Sequence, residues 1–146
     1  MSDIDEALNK IQELITEPKG ENYLKSFALA LDVVGDKEMA LELLLGAYEL
    51  GEKTSIAILA DSYCEGSLGV TDKKKAIQYF KEGIEANDFL TMQTFFVQCN
   101  KGNIGSDDGI DPLEVSLSFL THEEFEKLPP QRQQILAGMI NEIVTR

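Results

Sequence analysis

Most of the residues able to do chemistry lie in the second half of the chain. Asp107-Asp108-Gly109-Ile110-Asp111 puts three carboxylates into five positions, and hard oxygen ligands of this kind hold calcium. An EF-hand loop closing on Glu114 would begin at Asn103. It would then place Gly105 where a ligand belongs and Asp108 where glycine belongs. The stretch therefore reads as a polar loop ending in a capping aspartate, with no metal. His122 is the only histidine and stands beside Glu123 and Glu124. Acid–base catalysis would need a nucleophile or a second base at a matching spacing, and the sequence offers none. Asp61 and Glu65, one helical turn apart, complete the set from which a small hydrolase could be assembled, but no spacing supports that reading. Cys64 and Cys99 have no metal-like spacing and are expected as separate, reduced thiols. Lys73-Lys74-Lys75 opens a helix, where the dipole disfavours cations, and reads as a solvated face. No catalytic residue, cofactor or metal is expected.

The elements that carry these residues follow a helical period throughout. Ile4, Leu8, Ile11 and Ile15 mark a first helix from Ser2 to about Thr16, ended by Glu17-Pro18-Lys19-Gly20. A second helix carries Leu24, Phe27, Ala28 and Leu31 to Val34. Asp36 opens a third, which Gly51 stops. Ile56, Leu59, Ala60 and Tyr63 define a fourth, stopped by Gly66, and Asp72 caps a fifth with Ala76, Ile77, Tyr79, Phe80, Gly83 and Ile84 on one broad face. Asp88 caps a sixth through Phe95 and Cys99, and an irregular stretch follows from 101 to 110. Asp111-Pro112 reads as an N-cap followed by proline at the first helical position. Thr121-His122-Glu123-Glu124 reads as a capping box opening a short helix to about Leu128. After a break at Pro129-Pro130, a last helix runs through Ile135, Leu136, Met139, Ile140, Ile143 and Val144. Nine helices and no strands are expected.

A shift of 36 residues superposes much of this pattern on itself. Asp36-Lys37 falls on Asp72-Lys73, Ala40 on Ala76, Leu43 on Tyr79, Leu44 on Phe80 and Ala47 on Gly83. Leu59 falls on Phe95 and Tyr63 on Cys99. A fixed period of this length is the mark of stacked helical hairpins. The chain is thus expected to be a single all-α domain, a short α-solenoid. Residues 1–20 would form an N-terminal capping helix, 21–120 the repeat hairpins and 121–146 the C-terminal capping helices.

The central copy carries a more specific pattern: Leu59-Ala60, Tyr63, Gly66, Gly69-Val70, Asp72, Lys75-Ala76, Tyr79-Phe80 and Gly83. It resembles the Sel-one-like repeat, a relative of the tetratricopeptide repeat. The departures are Ala60 for the usual Gly, a displaced Gly69-Val70, Gly83-Ile84 for Ala-Ala, and Asn87 for the closing Gly. The resemblance covers about 33 residues well, 21–55 more weakly, and is faint beyond 100. It implies a protein-binding array with no shared catalytic residue, in which the first helix of each hairpin lines a concave face. The outward positions would be Ile58, Asp61, Ser62 and Glu65, then Thr94, Val97, Gln98 and Lys101 one repeat later; one repeat earlier they would be Asn22, Lys25, Ser26 and Leu29. This column mixes polar and apolar residues, as a recognition surface does.

Composition narrows the partner. The 146 residues are 43% hydrophobic and 27% charged, with a net charge of −13, which is the profile of a globular chain. The charge is spread: −4 over 1–22, −3 over 23–53, −2 over 54–90 and −4 over 91–146. Such a surface repels nucleic acid and anionic lipid and attracts basic proteins. No apolar run approaches a membrane span, and Met-Ser-Asp-Ile-Asp-Glu lacks the parts of a signal peptide, so a cytoplasmic location is expected. The expected function is a non-enzymatic protein–protein interaction module for a basic partner. A narrower version is an immunity protein or antitoxin that neutralises a basic toxin, and a rival is a structural oligomer subunit.

Overall fold

A computed structural model of the chain describes residues 36–51 and 53–146. The first two expected helices, and Asn22, Lys25, Ser26 and Leu29, fall outside the described residues. Those residues form seven α-helices and no strand: α1 (Lys37–Glu49), α2 (Thr54–Glu65), α3 (Lys73–Glu85), α4 (Phe89–Asn100), α5 (Pro112–Leu120), α6 (Glu123–Glu126) and α7 (Pro130–Val144), with a 3-10 turn at Ser106–Asp108. The chain divides into two compact units, Met1–Tyr79 and Phe80–Arg146.

In the first unit, α1 and α2 pack as a hairpin. Asp36 caps α1, its Oδ1 accepting the Met39 N–H at 3.1 Å. Ala40, Leu43, Leu44 and Ala47 make the buried stripe. Gly66 ends α2 at φ +71, donating its N–H to the Ser62 carbonyl. The positive φ alone favours glycine, and a Cβ here would also overlap the Thr71 hydroxyl. The chain then turns so that the Asp72 N–H reaches the Tyr63 carbonyl at 3.0 Å. Asp72 caps α3 as Asp36 caps α1, accepting the Lys75 N–H at 3.2 Å. Tyr79 is held by two rings: Tyr63 lies parallel to it with centroids 6.0 Å apart, and Tyr48 meets it edge-on at 5.2 Å.

The second unit is built around α4, which packs against both α5 and α7. Its core is aromatic: Phe95 meets Phe80 at 5.8 Å and Phe96 at 5.4 Å, Phe96 meets Phe119 at 5.5 Å, and Phe119 meets Phe125 at 5.5 Å and Phe89 at 4.6 Å. Most of these pairs are edge-to-face, which suits the ring quadrupoles. Asn87 makes the tight turn into α4 with φ +58, a conformation that asparagine tolerates better than most residues. The stretch from 101 to 110 is irregular apart from the 3-10 turn, and it is pinned by Ile104 and Ile110, both buried.

Burial repeats with the sequence period. Ala40 and Ala76, Leu44 and Phe80, Leu59 and Phe95, Ala60 and Phe96, and Ser55 and Thr91 are each 0% exposed, and each pair is separated by 36 residues. Ala47 is buried, as is Gly83.

Two local expectations need correction. Thr121 is not the cap of α6: its hydroxyl donates to the Leu117 carbonyl, closing the end of α5. The cap is His122, whose Nδ1 accepts the Glu124 N–H at 3.0 Å. The break before α7 is Pro129 alone, because Pro130 occupies the first turn of the helix, where its missing N–H costs nothing.

Candidate functional site

The candidate positions lie on α2 in the first unit and on α4 in the second. Ile58, Asp61, Ser62 and Glu65 stand at i, i+3, i+4 and i+7 and so share one face of α2. Glu65 is exposed, Ile58 and Asp61 are half-buried, and Ser62 is buried. The same spacing sets Thr94, Val97, Gln98 and Lys101 along α4. Lys101, the C-cap residue, is exposed; Thr94 and Val97 are half-buried.

Gln98 is fully buried and works inside the protein. Its side-chain carbonyl accepts from the Asn103 amide at 2.8 Å, and its backbone carbonyl accepts the Asn103 N–H at 3.1 Å. These two hydrogen bonds to one residue fasten the 101–110 segment to the end of α4. Thr94 satisfies its hydroxyl on the Leu90 carbonyl of its own helix at 2.7 Å. Glu65 on α2 and Lys101 at the end of α4 are thus the exposed members of their sets, and Ile58, Asp61, Thr94 and Val97 are half-buried.

Three clefts of the second unit were not visible in the sequence. The first, about 440 Å³, lies between α3 and α5, with Lys81, Glu85, Asp111 and Glu114 among its walls. The second, about 270 Å³, has an apolar floor of Ile104, Pro112, Leu113, Ile143 and Val144. The third, about 410 Å³, brings Ser118, His122 and Glu123 together.

A serine, a histidine and a carboxylate in one cleft invite a catalytic reading, but the hydrogen bonds of His122 speak against it. Nδ1 accepts the Glu124 N–H, and Nε2 lies 3.1 Å from the Asn87 carbonyl. An amide can only donate and a carbonyl can only accept, so Nδ1 is the acceptor and Nε2 the donor. Neither nitrogen is left to take a proton from Ser118. The ring also packs on Phe89, with centroids 5.1 Å apart. Next to it, Lys127 meets Glu124 at 3.0 Å. The hydrogen bond and charge of Glu124 raise the lysine above its ordinary pKa.

The three carboxylates of the acidic loop do not form one cluster. Asp108 turns inward to accept the Gly105 N–H at 2.9 Å, and Asp111 caps α5 through the Leu113 N–H at 3.0 Å. Among the described residues, no group of three or more histidine, cysteine, aspartate or glutamate side chains could hold a metal ion. Cys64 is half-buried and Cys99 buried, both as free thiols. Among the described residues, no helix is long and apolar enough to cross a membrane.

No family model matches this chain, and neither the curated proteins nor the solved structures yield a match.

Proposed function

We propose that this protein is a non-enzymatic binding module, a short array of Sel-one-like helical hairpins that captures a basic protein partner. The observation that carries the reading is the shared 36-residue period of sequence and burial. Asp36 and Asp72 cap their helices in the same way, and the small residues at 40 and 76 are fully buried in both copies. Hairpins whose equivalent helices bury equivalent faces are the building units of helical-repeat binding proteins, and in such repeats the first helix carries the recognition residues. In the first unit these would be Ile58, Asp61 and Glu65 of α2, and in the second Thr94, Val97 and Lys101 of α4. The engaged nitrogens of His122 favour binding over acid–base catalysis. The net charge of −13 would speed capture of a basic partner.

The test is affinity capture from native lysate, followed by binding kinetics with the captured protein. Asp61→Lys with Glu65→Lys changes the net charge from −13 to −9, and so does the control pair Glu49→Lys with Glu142→Lys, both exposed and off the column. The column pair should dissociate much faster, while the control pair loses only association rate. Equal losses in both would remove the column as the binding surface. Binding insensitive to salt would remove the charge argument.

A further inference from the structure

α5 carries more apolar side chains than its core position needs. Pro112, Val115 and Phe119 are buried with Ser116 and seat the helix. Leu113, Leu117 and Leu120 point elsewhere and are 55, 64 and 36% exposed. Their spacing, i, i+4 and i+7, puts all three within one narrow arc of the helix. They are half of the six large hydrophobics exposed among the described residues. Scattered exposed leucines need no explanation, whereas a contiguous row does. At its N-terminal end the row opens into the 270 Å³ cleft, where Leu113 sits with Ile104, Ile143 and Val144, and where Asp107 and Asp111 stand beside them.

The charge around the row is one-sided. From Gly102 to Glu126 there are seven aspartates and glutamates and not one lysine or arginine. Two cations approach from other elements. Lys81 comes close to Gly109, and Arg146 lines the cleft with its Nη1 donating to the Cys99 carbonyl at 3.2 Å. The second unit as a whole holds eleven acidic and five basic side chains, a net of −6. A second copy seated here across a two-fold axis would set −6 against −6 around a small apolar contact. A basic partner meets the opposite sign.

We infer that this face docks an amphipathic helix of another protein, apolar along one side and rich in lysine or arginine on its flanks. The leucine row takes the apolar side in the helix-on-face manner. The carboxylates at both ends, Asp107, Asp111 and Glu114 before and Glu123 and Glu126 after, meet the flanking cations. It uses none of the candidate residues of α2 and α4, and the inference stands whether or not those residues bind anything.

The probe is a synthetic helix of about 18 residues with leucines on one face and lysines elsewhere. Two controls accompany it: a scramble of the same composition that breaks the apolar face, and a leucine–glutamate analogue. Binding to the full chain is read by fluorescence anisotropy. The leucine–lysine helix should bind and weaken with salt, while the scramble and the glutamate analogue should bind about tenfold less tightly or worse. Leu113→Gln with Leu117→Gln should also weaken binding about tenfold or more, since a partner's anchors would lose their seat. Ile135→Gln, equally exposed on α7, should leave binding unchanged. Circular dichroism and melting establish that each variant is folded. The inference is overturned if the leucine–lysine helix fails to bind, if the scramble binds equally well, or if the double leucine variant retains full binding. A leucine-dependent dimer of the full chain in sedimentation equilibrium would overturn it as well, by giving the face to a second copy.

Discussion

Gly83→Ala is the substitution on which two opposed effects can be weighed most directly. Gly83 lies in α3 against Thr91 of α4, so close that a Cβ would overlap the Cβ, Oγ1 and Cγ2 of the threonine. With three atoms of one side chain in the way, no rotation of Thr91 clears the space. Thr91 is fully buried, and its hydroxyl donates to the Asp88 carboxylate oxygen that also accepts the Thr91 N–H at 3.1 Å. The overlap therefore forces the helices apart and breaks this cap with them. Alanine is favoured over glycine in a helix interior by about 0.5–1 kcal/mol. Against this, overpacking costs about 1–3 kcal/mol, and a lost cap costs about 1 kcal/mol more. Overpacking and cap loss together exceed the propensity gain, so the variant should be less stable by about 1–3 kcal/mol. Urea unfolding followed at 222 nm should show a lower midpoint with an unchanged slope. Thr91→Ala removes the two atoms nearest the new methyl, and on its own it costs the hydroxyl's bond to Asp88. In the double variant the two penalties should not add, leaving a coupling of about 1 kcal/mol or more. A midpoint that stays level or rises in Gly83→Ala would refute the reasoning, because propensity would then have won and the approach of α3 to α4 could not be as close as described.

Four further outcomes follow from the same geometry. Ala76→Leu should overpack a fully buried site and cost about 1–3 kcal/mol; an unchanged melting temperature would count against close packing there. Asp72→Ala should cost about 1 kcal/mol by chemical denaturation, while Asp72→Asn, which keeps the accepting oxygen, should be nearly neutral. His122→Phe should lose about as much as a cap is worth, roughly 1 kcal/mol, and His122→Asn should retain it; equal losses would mean that Nδ1 does not cap α6. Thiol titration of unreduced, unfolded protein should find two free cysteines. In the native state Cys64 should react before Cys99, which is only 2% exposed.

The parts of the fold legible in the sequence are those fixed by one or two residues acting locally. Asp36, Asp72, Asp88 and Asp111 each cap the helix that their position announced, because a short acidic side chain beside free N–H groups has one good use. Gly66 ends α2 by taking a positive φ, as its place in the turn implied. The cap of α6 was misread for a physical reason: Thr121 and His122 can both accept from the next turn, and Thr121 was drawn back to the Leu117 carbonyl. The column fared unevenly for a different reason. Spacing places Ser62 and Gln98 on the same faces as Glu65 and Lys101, but spacing is silent on how far a neighbouring segment reaches. Gln98 is fully buried and bonded to Asn103 of the following segment.

α5 shows where such reading stops. Leu113, Val115, Leu117, Phe119 and Leu120 surround the helix with apolar groups, so periodicity cannot choose an inner face. Packing chooses it: Phe119 enters the aromatic cluster between Phe89, Phe96 and Phe125, and Val115 follows it inward. The three leucines are left facing out at 36–64% exposure, although each would gain roughly 0.5–2 kcal/mol more on full burial. A helix held by one apolar face does not need a second one for its own stability. The neighbouring sequence supplies carboxylates at both ends of that second face and no cation between Gly102 and Glu126. Apolar surplus and one-signed charge on the same short segment are the two halves of an amphipathic, basic partner's complement. On the docking inference drawn above, the leucines are buried by a different molecule, because the carboxylates would repel a second copy of this chain.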